Sequence, residues 1–247
     1  MPIAVLYDIH GNLPALEAVI AEVGQLEVDE IIVGGDVVVG PMSKECLELL
    51  LNIDNPIKFI YGNCEVAVLD VADNKPLTNL PQNVVEDIFW TTNSLSAGQL
   101  QEIRKWPKIV VSDIPGIGKT LFCHATPRNE NEIFTILTVE EKLLPIFNSC
   151  DADIVICGHT HMQFDRMVGS KRIVNAGSVG MPFGKTGAYW LYIDTDFHLK
   201  CTTYNLNLAE KSILQTGYPH PDDFIKSITT PQSEETMLEI FGNAELH

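Results

Sequence analysis

At 247 residues with 45% hydrophobic content, the chain is long enough for one large domain or two small ones and carries enough apolar side chains for a substantial core. Its 33 acidic against 16 basic residues give a formal charge of −17, which argues against binding the backbone of long nucleic acids. No apolar run reaches the length of a membrane span and the first residues lack the basic segment of a signal peptide, so a soluble cytoplasmic protein with no membrane partner is expected. Cys46, Cys64, Cys123, Cys150, Cys157 and Cys201 show no C-x-x-C spacing, and several lie inside apolar runs, as reduced thiols do.

Ile3 to Tyr7 is a strand-like run ending at Asp8-Ile9-His10, and from Leu13 the positions Leu16, Val19, Ile20 and Val23 fall at helical spacing. Glu30 to Gly35 repeats the pattern and ends at Asp36, with a helix expected through Lys44 to Leu51. Ile57 to Tyr61 is a third run, ending in Gly62-Asn63-Cys64-Glu65. Asp8, Asp36 and Asn63 thus recur at about the 30-residue length of a βαβ crossover, which predicts a parallel sheet whose ligands gather beyond the strands' carboxyl ends.

Residues from about 76 to 106 break this rhythm and read as an inserted helical cap, with helix-like spacing through Val84, Val85, Ile88 and Phe89 and then Leu95, Leu100 and Ile103. Ile109 to Val111 and Thr120 to Cys123 look like strands around a Pro-Gly turn, the second ending at His124. A helix near Val139 to Phe147 leads to Asp153-Ile-Val-Ile-Cys-Gly-His-Thr-His161, a buried-strand run stopped at Gly158 and followed by two histidines. Two apart, His159 and His161 either share a side or splay towards neighbouring points, and both geometries suit metal. Phe164 to Val168, Arg172 to Val174, Ala188 to Asp194 and His198 to Tyr204 are expected to be antiparallel strands. From about residue 206 the chain looks helical in two pieces around Pro219 and Pro221, then ends in a polar tail.

Asp8, His10, Asp36, Asn63, His124, His159 and His161 all stand where predicted strands stop. Singly, each has a structural explanation as a helix cap, a turn residue or a buried hydrogen-bonded histidine. Their recurrence at five strand ends favours ligands, and seven ligands suggest two metals. A carboxylate bridging two cations about 3.5–4 Å apart lets the pair clamp a phosphate and activate a water, and Asp36, central in order, is the expected bridge. Nitrogen and oxygen donors without thiolate favour manganese, iron, zinc or cobalt over a soft metal; manganese is the first expectation, and nickel is a further alternative.

Asp8-Ile-His10, Gly35-Asp36 with Gly40, Gly62-Asn63, His124 and Gly158-His-Thr-His161 resemble, in order, the motifs of the calcineurin-like metallophosphoesterases. The resemblance covers about residues 1 to 205, and Asn175 to Gly180 is similar to a late signature of the smaller bacterial members. It implies a four-layer αββα sandwich of two mixed sheets, here one domain over residues 1–247 with the cap at 76–106 and a helical extension from 206. It also implies one metal on Asp8, His10, Asp36 and His161 and another on Asp36, Asn63, His124 and His159. Length and cap are similar to members acting as phosphodiesterases or resembling diadenosine tetraphosphatases, so a small phosphorylated substrate is expected. Asn12 and Arg128 are the implied phosphate contacts.

Where many relatives have a histidine that protonates the leaving group, this chain has Cys64, a weak donor. Tyr7, where serine is common, reads as a packing change. The family also contains a retromer subunit used as a protein-binding surface, so the alternative is a non-catalytic metal-binding scaffold. Gly118-Lys119-Thr120 and Gly184-Lys185-Thr186 lack the earlier glycine of a phosphate loop. His198, His220 and His247 read as ordinary surface residues.

Overall fold

The computed structural model describes residues 1–246, so His247 lies outside the described residues. One sheet contains β1 (Ile3–Leu6), β2 (Glu30–Val33), β3 (Ile57–Phe59), β9 (Ala188–Ile193) and β10 (Phe197–Thr202) in the order β10-β9-β1-β2-β3. The other contains β4 (Ile109–Ile114), β5 (Gly118–Cys123), β6 (Ile154–Cys157), β7 (Phe164–Val168) and β8 (Lys171–Asn175) in the order β4-β5-β6-β8-β7. Each has a parallel centre, β1-β2-β3 and β5-β6-β8, edged by antiparallel strands.

Alternation along the strands builds the layers. Ile3, Val5 and Tyr7 of one sheet meet Phe122, Ile154, Ile156 and Val174 of the other in a shared apolar layer. Between them Ala4, Leu6, Ile31 and Val33 turn outward to α1 (Leu13–Val23) and α2 (Ser43–Leu51). On the far side Leu121, Cys123, Val155 and Cys157 pack with α6 (Glu140–Phe147). Helix, sheet, sheet, helix is the resulting order. Strands buried on both faces are apolar at every position, which is why their runs are continuous. Tyr7 belongs to the inter-sheet layer, and its hydroxyl donates to Ile156 O at 3.0 Å.

Three expectations need correction. A helix, α3 (Asn63–Ala72), starts directly after β3, where none was expected. The short strands after residue 163 form antiparallel hairpins β7-β8 and β9-β10, but β8 runs parallel to β6 and the hairpins enter different sheets. Beyond β10 there are three helices, α7 (Leu206–Leu214), α8 (Pro221–Thr229) and α9 (Glu234–Asn243), and the supposed tail is the third of them.

The segment read as a cap forms α4 (Gln82–Ser94) and α5 (Ala97–Ile103); Ile88 and Ile103 of these helices, with Leu95 between them, join the layer of α1 and α2. α7 and α8 form a smaller cluster of their own, in which Ala209, Ile213, Tyr218, Phe224 and Ile228 pack with Met42 and against Trp90 and Met181. His220 is more than a surface residue, since its Nδ1 meets Asp87 Oδ1 at 2.9 Å and ties α8 to α4. No helix among the described residues is long and apolar enough to cross a membrane. All six cysteines are free thiols, with Cys46, Cys123 and Cys157 buried.

Candidate metal centre

Parallel strands deliver their carboxyl ends to one edge, and there the seven side chains converge. Asp8 and His10 follow β1, Asp36 follows β2, Asn63 opens α3, His124 follows β5, and His159 and His161 follow β6. Ligating atoms of Asp8, His10 and His161, of His10, Asp36 and Cys64, and of Asp36, His124 and His159 each lie within 4.8 Å of one another. Asn63 joins them through its Oδ1, 3.0 Å from His124 Nε2.

Five of these residues take a backbone that side chains disfavour. Asp8, His10, Asp36, His159 and His161 have φ of 54°, 47°, 52°, 67° and 57°, the left-handed region that costs an L-residue about 1–2 kcal/mol. Surrounding bonds hold them there. Asp8 N donates to Gly35 O and His10 N to Asp36 O, while Gly180 N and Ser178 Oγ both donate to Asp8 O. Buried Glu65 accepts from Gly62 N at 2.7 Å, Asp36 N at 2.8 Å and Val37 N at 2.9 Å, binding the loop after β2 to the start of α3. Close approach is the reason for two glycines: a Cβ on Gly62 would stand 2.2 Å from Asp36 Oδ1, and one on Gly158 2.5 Å from Asp8 Oδ2.

Hydrogen bonds on the outer side of two imidazoles set their tautomers. His161 Nδ1 is 2.6 Å from Met181 O and His124 Nδ1 is 3.0 Å from Gly34 O. A carbonyl only accepts, so each Nδ1 carries a hydrogen and Nε2 faces inward. His161 Nε2 lies 3.2 Å from His10 Nε2 and 3.5 Å from Asp8 Oδ1. Asp8 Oδ2 accepts from His159 N at 2.8 Å, but buried Asp8 Oδ1 has no hydrogen-bond partner among the described residues. His124 Nε2 is 3.5 Å from Asp36 Oδ2.

This arrangement calls for positive charge. Burial alone would push His124 down, but the Asp36 and Asp8 carboxylates override it and raise it to about 10. His161 is likewise raised, by Asp8 against the effect of burial. Burial, with His124 beside it, lowers His159 to about 4, and burial together with His161 lowers His10. For Asp8 and Asp36 burial acts upward, yet His161 on the first and His124 on the second hold them below the usual range. Protons on His124 and His161 are the chain's own answer to two buried carboxylates, and a cation among the same atoms is the other. Asp8 Oδ1 without a hydrogen bond among the described residues, the inward Nε2 atoms and the oxygen and nitrogen donor set all fit divalent metal.

Cys64 stands at the edge of this group. Its N–H donates to Asp36 Oδ1 at 2.8 Å and its thiol to Asp36 Oδ2 at 3.1 Å. Burial first, then Asp36 and Glu65, push the thiol well above its ordinary range, so it stays protonated and is a poor ligand.

Two expected substrate contacts are corrected. Asn12 is fully buried and its polar atoms are engaged: Oδ1 accepts from Ala15 N to cap α1, and Nδ2 donates to Gly180 O at 2.9 Å and Tyr204 Oη at 3.1 Å. No donor is left for a phosphate. Arg128 pairs with Glu132 at 2.6 Å and lines an outer groove with Ile109, Val111 and Cys150 that contains none of the candidate ligands.

Glu65 was not recognised as an organiser of the centre, although a carboxylate three residues after an N-cap is a capping signal. Asn175 supports the opposite side, donating to Gly158 O at 2.7 Å and Thr160 Oγ1 at 3.1 Å. Met181 O and the Phe183 ring, which contact His161, carry no signal that spacing could reveal.

Residues 1–197 match the family model described as the calcineurin-like phosphoesterase superfamily domain. The chain is 27% identical over 237 residues to the uncharacterized protein MJ0912 of Methanocaldococcus jannaschii, covering 88% of this chain and 93% of that one. In fold it is similar to a metallophosphoesterase from Sphaerobacter thermophilus, with a TM-score of 0.74, 23% identity and coverage of 94% and 99% of the two chains. It is also similar to the hypothetical protein PH1004 from Pyrococcus horikoshii OT3, with a TM-score of 0.82, 19% identity and the same coverage, 94% and 99%.

Proposed function

The chain belongs to the calcineurin-like phosphoesterase superfamily, and on that premise we propose that it is a two-metal phosphoesterase hydrolysing phosphodiester or phosphoanhydride bonds of a small substrate, nucleotides among them. One observation carries the proposal: the buried Asp8 Oδ1 has no hydrogen-bond partner among the described residues and stands 3.5 Å from the inward nitrogen of His161. An unpaired buried carboxylate oxygen is costly, and a divalent cation satisfies oxygen and nitrogen together. Asp8, His10, Asp36 and His161 would hold one ion, and Asp36, Asn63, His124 and His159 the other, with manganese the first candidate. Bound there, the two ions supply charge to polarise a phosphoryl group and to make water nucleophilic at neutral pH.

The side chains set the rest of the chemistry. Asp36 is suited to bridge, because Oδ2 lies 3.5 Å from His124 Nε2 and 3.8 Å from His10 Nε2 while Oδ1 is steadied by Cys64 N–H. The Met181 and Gly34 carbonyls keep two imidazoles turned with Nε2 inward. Asn63, at the first turn of α3, orients beside His124. The Cys64 hydrogen is directed at Asp36, so this position gives a departing oxygen little help. Substrates whose leaving group is already a weak base are therefore favoured. Residues 1–247 act as one domain, with α4 and the C-terminal helices walling the side of the centre next to His161.

The test is a panel with added Mn²⁺. Bis(p-nitrophenyl) phosphate should be cleaved at least about tenfold better than glycerol phosphate, because p-nitrophenolate leaves without protonation. A preference for the alkyl monoester, or no turnover of either, contradicts the proposal.

A further inference from the structure

Beside the centre, the C-terminal helices enclose a cavity of about 410 Å³. It is lined by Asn83 at the start of α4, Met181 and Phe183 from the loop after β8, Lys226 and Ser227 on α8, and Met237 on α9. Two of these residues also touch a candidate ligand. Met181 O accepts from His161 Nδ1, and the Phe183 ring stacks on the His161 ring with centroids 5.4 Å apart and planes at 19°. The cavity and the candidate metal centre therefore share a wall.

Lys226 is the basic residue of this lining, and among the described residues it has no carboxylate within salt-bridge distance. Among the described residues most basic side chains, Lys58, Lys75, Lys119 and Lys200 included, are paired with carboxylates; Lys185 and Lys211 also lack such a partner, but neither lines this cavity. The one acid of the lining, Asp223, sits in the first turn of α8 beside His220. An uncommitted ammonium next to an anion-handling centre in a strongly acidic protein is suited to a second anionic group, which the overall field would otherwise repel. Phe183 adds an apolar group to the lining, and Asn83 and Ser227 add polar ones.

We infer that this cavity receives the leaving part of the substrate and that Lys226 selects leaving parts carrying a second phosphoryl group. The inference rests on the phosphoesterase reading above and adds its selectivity. Lys226 is exposed on the helix surface, so its replacement should not disturb folding.

The test is calorimetric titration of the full-length, Mn²⁺-loaded protein with methylenediphosphonate, whose P–C–P bridge it cannot hydrolyse, and with orthophosphate, on the unaltered chain, Lys226→Ala, Lys226→Arg and a Lys211→Ala control on α7. One charge-assisted hydrogen bond corresponds to about tenfold in affinity. Lys226→Ala should weaken methylenediphosphonate by about that factor while orthophosphate stays within about twofold; Lys226→Arg should retain most of the affinity and Lys211→Ala all of it. Unchanged methylenediphosphonate binding in Lys226→Ala, or an equal loss for both anions, overturns the inference. If the unaltered protein cleaves no phosphoester, the phosphoesterase reading fails, while the paired titrations still decide whether Lys226 recognises the longer anion.

Discussion

The loops around the candidate ligands and the helices after residue 205 are held by different means. In the loops, five residues keep a disfavoured backbone because buried bonds leave them little alternative: Glu65 gathers four N–H groups, and Ser178 and Gly180 both donate to Asp8 O. The C-terminal helices are held instead by an apolar cluster and by polar and aromatic ties between side chains of different elements. His220 meets Asp87, the Trp90 and Tyr218 rings meet edge to face at 5.2 Å, and Phe183 meets Phe241 at 5.9 Å. The match to the family also stops at residue 197, before α7. On the proposed reading, the chemistry sits in the loops that the family model covers, and selection among substrates sits in the helical wall beyond them.

That contrast gives an order of expected effects. A change in the loops should affect every substrate, and the largest effect is assigned to Asp36→Asn, which should lower hydrolysis by at least about 10²-fold because it removes bridging charge. Folding should survive, since asparagine keeps the size and the oxygen that accepts from Cys64 N. Steady-state rates together with a circular dichroism melt check this, and unchanged activity in a folded variant would remove Asp36 from the mechanism. A change in the helical wall should be selective, as described for Lys226.

The smallest effect belongs to Cys64→His. An imported imidazole could protonate a leaving group, but it needs an orienting carboxylate, and the oxygens of Glu65 are already occupied by backbone N–H groups. The ratio of aryl diester to alkyl monoester turnover should narrow by only about 2–5-fold. A ratio unchanged with the metals intact would show that Cys64 does not limit departure of the leaving group.

Much of this was legible in the sequence for physical reasons. Strands buried on both faces leave continuous apolar runs, and their polar ends gave the seven converging residues. Direction leaves no such trace, so the parallel pairing of β8 with β6 was not readable from Arg172 to Val174. α3 was hidden because Val66, Val68 and Val71 are β-branched, and the helix depends on packing by Val68 and on the Glu65 bonds rather than on propensity. Asn12 was misread although its signal was present: an asparagine with Pro14 in the first turn that follows is a capping pattern. Arg128 and Glu132, four apart, were readable as a local pair. The left-handed backbone of Asp8, His10, Asp36, His159 and His161, and the Lys226 cavity, arise from contacts between distant parts of the chain.

The central claim is that two cations share this cluster, with His159 and His161 serving different ones. Elemental analysis of the purified protein and of His159→Ala and His161→Ala, after equilibration with Mn²⁺ and removal of loosely bound ions, tests it most directly. The unaltered protein should retain up to two divalent metals per chain, and each variant should lose tight binding at one site. Two tightly held metals in both variants, or none in the unaltered protein, would contradict the account.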